Sequence, residues 1–166
     1  VGSEMCIRDG EKDYFLMVKS IRSHTDFSVG FRRQDITFVY VADVVQAVFL
    51  ALDHGMSGRK YFLSDGHVYR SSTFSNLIRE ALGHPWWVRI KAPIWVLKVA
   101  TAVGGRIGRM TGRMSALNND KYNILRQRNW RCDIEPAMDE LGYHPHYPLD
   151  RGVKLAVDWY RENGWL

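Results

Sequence analysis

Val41, Val44, Val45, Val48, Phe49 and Leu52 repeat on one face of a 3.6-residue helix, and residues 36–40 just before them read as a strand. A strand that feeds directly into an amphipathic helix is the building unit of α/β proteins, so this junction limits the class more than any other feature. The helix closes at Gly55. Upstream, residues 11–21 predict a helix with Phe15, Val18 and Ile21 on one face. A short strand follows at 27–29, then a polar turn at 30–35.

The same alternation continues. Residues 59–64 predict a strand broken by Asp65 and Gly66. Ser71 or Ser72 is the expected cap of a helix whose core face is Phe74, Leu77, Ile78, Ala81 and Leu82 and which Gly83 ends. Residues 86–90 predict a strand, and Pro93 opens a helix that is apolar nearly all round up to Val103. A short helix reaches Leu125 from Asn118 or Asn119. Residues 130–132 form a short strand, and 136–141 a short helix ended by Gly142. Residues 144–148 are extended, because a residue before proline avoids the helical region. The last helix, 150–162, is expected to bury Val153, Ala156, Val157 and Tyr160. The class is mixed α/β, yet the strands are too few and short for a complete parallel sheet.

Composition sets outer bounds. The chain is 46% hydrophobic and 25% charged, a balance that supports a core. Its two cysteines, Cys6 and Cys132, provide neither a disulfide framework nor zinc spacing, which fits a reducing compartment. Residues 1–9 match nothing in the periodicity that follows. They resemble a translated adaptor scar, and are expected to be a non-native or disordered leader to a unit spanning 10–166. The formal charge of +5 is concentrated at 106–131, which holds seven basic residues and one acid, Asp120. Such a patch suits an anionic ligand or an anionic surface.

No self-contained redox site is legible. A dinucleotide needs a glycine-rich turn between strand and helix. The one glycine cluster, at 104–112, follows an apolar helix instead. A reductase tyrosine needs a lysine four residues on to lower its pKa. None of the eight tyrosines has one, and Tyr14 and Lys19 are five apart. Ser64-Asp65-Gly66-His67 contains the residue types of a triad without a nucleophile elbow. His144-Pro145-His146 has no carboxylate or thiolate near it in sequence, so no metal site is expected. Asp43 reads first as a favourable charge at the start of a helix.

Three segments together resemble extended short-chain dehydrogenase/reductases of the NAD-dependent epimerase/dehydratase family. Residues 36–47 look like that family's strand-to-helix signature, an aromatic-aliphatic run followed by Val41-Ala42-Asp43-Val44 and Ala47. Tyr61-Phe62-Leu63-Ser64-Asp65-Gly66 is similar to its strand and glycine turn. Trp130-Arg131-Cys132-Asp133, then Leu141-Gly142-Tyr143 with Pro145, Gly152-Val153 and Trp159-Tyr160 look like its closing elements. The match covers residues 11–166 and implies the C-terminal, substrate-binding part of an incomplete NAD(P)-binding Rossmann-like fold.

The resemblance carries further expectations. The catalytic Tyr/Lys pair and the NAD or NADP site would lie upstream, leaving this fragment inactive and without bound cofactor. The substrate would be a nucleotide-linked sugar whose hydroxyl or keto group reacts. Its phosphates would be held by Lys19, Arg32, Arg33, Arg126 and Arg128 through charge-assisted pairing. The family's arginine ahead of the aromatic-aliphatic run is replaced here by Ile36, so Arg32 or Arg33 must serve from the preceding turn. One alternative keeps the family but takes an apolar alcohol or ketone, with Trp86, Trp87, Trp95 and the Pro93 helix at the pocket. Another is a non-enzymatic module binding an anionic surface through 106–131. The favoured reading is cytoplasmic, with no nucleic acid or membrane partner, and allows a homodimer of the full-length protein. Without its sheet, the helix at 41–52 and the segment at 59–64 should expose their apolar faces to water.

Overall fold

The computed structural model describes residues 6–7, 12–29, 34–92 and 129–166. In chain order the elements are β1 (Cys6–Ile7), α1 (Lys12–Arg22), β2 (Thr25–Val29), β3 (Asp35–Ile36), β4 (Val39–Tyr40), α2 (Val41–His54), β5 (Tyr69–Arg70), α3 (Ser71–Ala81), β6 (Val88–Ala92), β7 (Asn129–Trp130), α4 (Glu135–Leu141) and α5 (Leu149–Glu162). The helices expected around the Pro93 segment and before Leu125 lie outside the described residues, as does the glycine cluster.

The strands form three small sheets. β1 pairs with β4 in parallel, β2 pairs with β6 in parallel, and β3 lies between antiparallel β5 and parallel β7. The single strand expected at 36–40 is therefore two, β3 and β4, which serve different sheets. Between them Thr37 sends its N–H to the Trp130 carbonyl, so the chain leaves one sheet as it reaches the other. The strand expected at 59–64 does not form. Its neighbour Asp65 donates its N–H to Phe38 O, but no strand among the described residues lies alongside residues 59–64 to build a ladder. Its side chains still alternate, with Tyr61 and Leu63 packed inward and Phe62 turned out. Cys6 and Ile7, within the nine residues read as a leader, make β1, and Ile7 is buried.

The main core lies where α1, α3 and α5 meet. Tyr14, Val18 and Ile21 of α1 face Leu149, Val153, Ala156, Val157 and Tyr160 of α5, with Ile78 of α3, Phe38 and Ile7 alongside. The α5 face is the one its periodicity predicts. A smaller cluster, Ala47, Ile134, Ala137 and Tyr143, joins α2 to α4. Gly142 takes φ 69° and ends α4 in the left-handed region, as expected of a glycine there. The serine cap of α3 is not used: Arg70 is the cap residue, and no side chain bonds the helix start. The Ser71 N–H instead reaches Gln34 O.

α2 packs with its large apolar face outward. Asp43 and Ala47 are buried, while Val45, Val48, Phe49 and Leu52 are 50, 51, 63 and 76% exposed. This is the uncovered face expected of a helix that lacks its sheet.

Candidate functional site

The candidate site is one end of the β5–β3–β7 sheet. Asp35 of β3 stands opposite Arg70 of β5 on one side and Asn129 of β7 on the other. Cross-strand partners share a face, so Arg70, Asp35 and Asn129 form a polar row. The following row, Tyr69, Ile36 and Trp130, projects to the other face by pleat alternation. Tyr69 and Ile36 pack against the main core, which fixes the sheet from below.

The register has a further consequence. β3 and β7 run parallel, so the chain enters both from the same end. Residues 32 and 33 lead into β3, and residues 126 and 128 lead into β7. Neighbouring strands are about 4.8 Å apart. Two arginine-bearing segments remote in sequence thus arrive at adjacent positions. Arg32, Arg33, Arg126 and Arg128 themselves lie outside the described residues.

Lys19, the fifth expected ligand, is exposed in the last turn of α1. It sits near the start of β2, whereas Arg32 and Arg33 follow that strand's far end. Five strand residues span roughly 16 Å, so Lys19 is not brought to the sheet end by any described pairing. Arg70, which the charge pattern did not single out, is brought there. Only its register opposite Asp35 reveals it.

Buried carboxylates hold the surrounding chain. Asp65 Oδ2 accepts from the Tyr69 hydroxyl at 2.7 Å and the Leu149 N–H at 3.1 Å, and its Oδ1 accepts from the His67 N–H. Asp43 is likewise a tether rather than only a helix-start charge. Its two oxygens accept from the His146 and Tyr147 N–H groups at 2.9 and 3.0 Å. Asp26 accepts from Ser75 Oγ and Arg89 Nε.

None of these arrangements is a reaction centre. His67 Nδ1 meets the Asp65 backbone carbonyl, not its carboxylate, and Ser64 Oγ accepts from Gly66 N–H, so no triad forms. His146 Nδ1 lies 3.0 Å from Gln46 Oε1. Among the described residues no group of three or more His, Cys, Asp or Glu is placed to hold a metal. Burial pushes the hydroxyls of Tyr14, Tyr69 and Tyr143 well above their ordinary value of 10.0. A proton-trading tyrosine needs the opposite shift.

A dinucleotide fits no better. The described strand-to-helix junctions, β4–α2 and β5–α3, read Tyr40-Val41 and Arg70-Ser71, without the glycine that lets backbone N–H groups approach a pyrophosphate. Trp87 lies between the guanidiniums of Arg79 and Arg89, 5.6 and 4.8 Å from its ring centre. Trp86 is exposed and stacks on His24 at 4.2 Å. Trp95 lies outside the described residues.

No family model matches the chain. Individual proteins do. It is 29% identical over 137 residues to an uncharacterized protein, YbjS, of Escherichia coli K12, covering 79% of this chain and 40% of that one. It is 25% identical to a dTDP-glucose 4,6-dehydratase of Streptomyces antibioticus, covering 76% and 29%. A decarboxylating sterol-4-alpha-carboxylate 3-dehydrogenase of Schizosaccharomyces pombe is 24% identical, covering 81% and 41%. The solved dTDP-glucose 4,6-dehydratase of Bacillus anthracis, in complex with NAD, superposes with a TM-score of 0.65 at 16% identity, over 95% of this chain and 42% of that one. This chain's relatives are extended short-chain dehydrogenases/reductases of the NAD-dependent epimerase/dehydratase type. It shares their Rossmann-like fold class, and spans less than half the length of these relatives. Among the described residues no helix is long and apolar enough to cross a membrane.

Proposed function

We propose that this chain is the substrate-binding part of an NAD(P)-dependent epimerase, dehydratase or reductase, and that the end of the β5–β3–β7 sheet holds the phosphates of a nucleotide-linked sugar. The carrying observation is the parallel register of β3 and β7, with Asp35 opposite Asn129, which gathers the entries from Arg32–Arg33 and Arg126–Arg128. Arg70 adds a guanidinium from the neighbouring strand. Planar guanidiniums pair with phosphate oxygens two at a time, so several on one sheet end suit a pyrophosphate. Lys19 is not part of this set.

On this reading the Tyr/Lys pair and the nicotinamide site belong to the remainder of a longer protein. There the substrate hydroxyl gives up a proton and a hydride, and the hydride passes to the oxidised nicotinamide. The fragment alone is inactive. Its two free cysteines fit a reducing, cytoplasmic setting.

Titration calorimetry with UDP-glucose and dTDP-glucose tests the site. Saturable binding is expected, weakened about tenfold or more by Arg33→Gln or Arg128→Gln, since a charged hydrogen bond contributes about 1.5–3 kcal/mol. Affinity unchanged in both variants, or no saturable binding by the chain or the longer protein, would sink the assignment.

A second reading, an apolar alcohol or ketone as substrate, is favoured by one feature. Phe27, Val88 and Ile90 are exposed on the β2–β6 ribbon, with exposed Trp86 at its approach. Quenching of Trp86 fluorescence by a hydroxysterol, with no response to sugar nucleotides, would select it.

A further inference from the structure

We infer that the outward face of α2, made by Val45, Val48, Phe49 and Leu52, is a seam on which a further α/β layer of the same longer protein packs. The inference rests on the preceding reading that the chain is part of a longer protein, and it specifies where that remainder docks.

α2 is packed the wrong way round for a finished protein. It buries a carboxylate, Asp43, and a small residue, Ala47, while its four large apolar side chains stand 50–76% exposed. Hydrophobic burial drives the opposite arrangement. The face is uncharged as well as apolar. Between Val44 and Leu52 there is no Asp, Glu, Lys or Arg, so it offers nothing to an anionic surface or a polar partner.

The strand leading into α2 points to the chemistry of the missing layer. β4 runs directly into the helix, and its partner among the described residues is the two-residue parallel strand β1. Parallel strands belong to sheets covered by helices on both faces. A parallel strand followed at once by an amphipathic helix therefore calls for more parallel sheet, rich in Val, Ile and Leu, under that helix. Phe62, in the extended chain after α2, is turned out at 70% exposure, while Tyr61 and Leu63 on either side pack with the α2–α4 cluster. The superposed dehydratase has more than as much chain again, since this one covers 42% of it. The occupant is thus the remaining sheet-and-helix layer of the same polypeptide, not a second copy of this chain.

Thiol labelling at Leu52→Cys tests the seam, with maleimide incorporation counted per peptide so that Cys6 and Cys132 stay in place. The introduced thiol should react rapidly in this chain and at least about 100-fold more slowly in the longer natural protein, as a buried site opens only rarely. Glu80→Cys, on exposed α3 surface, is the reference and should react alike in both. Equal rates at Leu52 in the two proteins overturn the seam. A discrete dimer of this chain that protects Leu52, and that Phe49→Glu returns to monomer, overturns it too, because the occupant is then a second copy. Amide exchange of α2 in the two unsubstituted proteins makes the same comparison without a variant. The labelling needs no ligand. A longer protein that protects Leu52 but binds no sugar nucleotide therefore fails the proposed substrate alone.

Discussion

At the scale of single residues, carboxylates hold distant parts of the chain together. Asp43 is 1% exposed, and its oxygens satisfy two backbone donors across more than a hundred residues of sequence. Asp43→Ala removes both acceptors and strands the His146 and Tyr147 N–H groups. A loss of about 2–4 kcal/mol is expected, because an unsatisfied buried donor costs about 1–3 kcal/mol. Asp43→Asn keeps one acceptor and should lose about half as much. Urea unfolding midpoints check this, and a fully stable alanine variant would refute the tether. The resemblance had flagged Asp43, but sequence spacing could not reveal its partners, which depend on the fold.

The buried tyrosines set a pH limit. Tyr14, Tyr69 and Tyr143 have hydroxyls raised above the ordinary 10.0, in each case first by burial. The neutral hydroxyls stabilise the fold fully below about pH 10. Above it the unfolded chain loses protons that the folded chain retains, so stability falls as pH rises towards the folded values. These phenolates should therefore appear together with the loss of helical circular dichroism. Their appearance near pH 10 with the helices intact, followed by ultraviolet absorbance, would contradict this.

At the scale of elements, helices were legible and strands were not. The 3.6-residue repeat of Val153, Ala156, Val157 and Tyr160 predicts the face that α5 buries. Gly142 marks the end of α4 because only the left-handed region closes it there. Strands of two residues carry no period of their own. β3 exists because Asp35 and Ile36 find partners in β5 and β7, and residues 59–64, with better strand composition, find none among the described residues. The serine cap failed for a related reason: the Ser71 N–H is taken by Gln34 O as the chain leaves β5. α2 shows periodicity without address, since the repeat identified the apolar face and could not say what lies against it.

At the scale of the whole molecule, the candidate site depends on a pairing that no local pattern encodes. The arginines at 32–33 and 126–128 stand out in the charge distribution, but only the parallel β3–β7 register brings their segments to one end of a sheet. That sheet is seated on the larger of two unequal cores. The larger joins α1, α3 and α5, and five residues of α5 lie within it. The smaller joins α2 to α4 through Ala47, Ile134, Ala137 and Tyr143, with α2's large side chains left in water. Opening free energy follows buried apolar contact, so stability should be graded across the molecule. In native-state hydrogen exchange of this chain, amides of α5 should be the slowest, and those in the middle of α2 at least about tenfold faster despite equal helix length. Exchange of α2 as slow as that of α5 would mean that the small core alone holds the helix, and that its apolar face needs no cover.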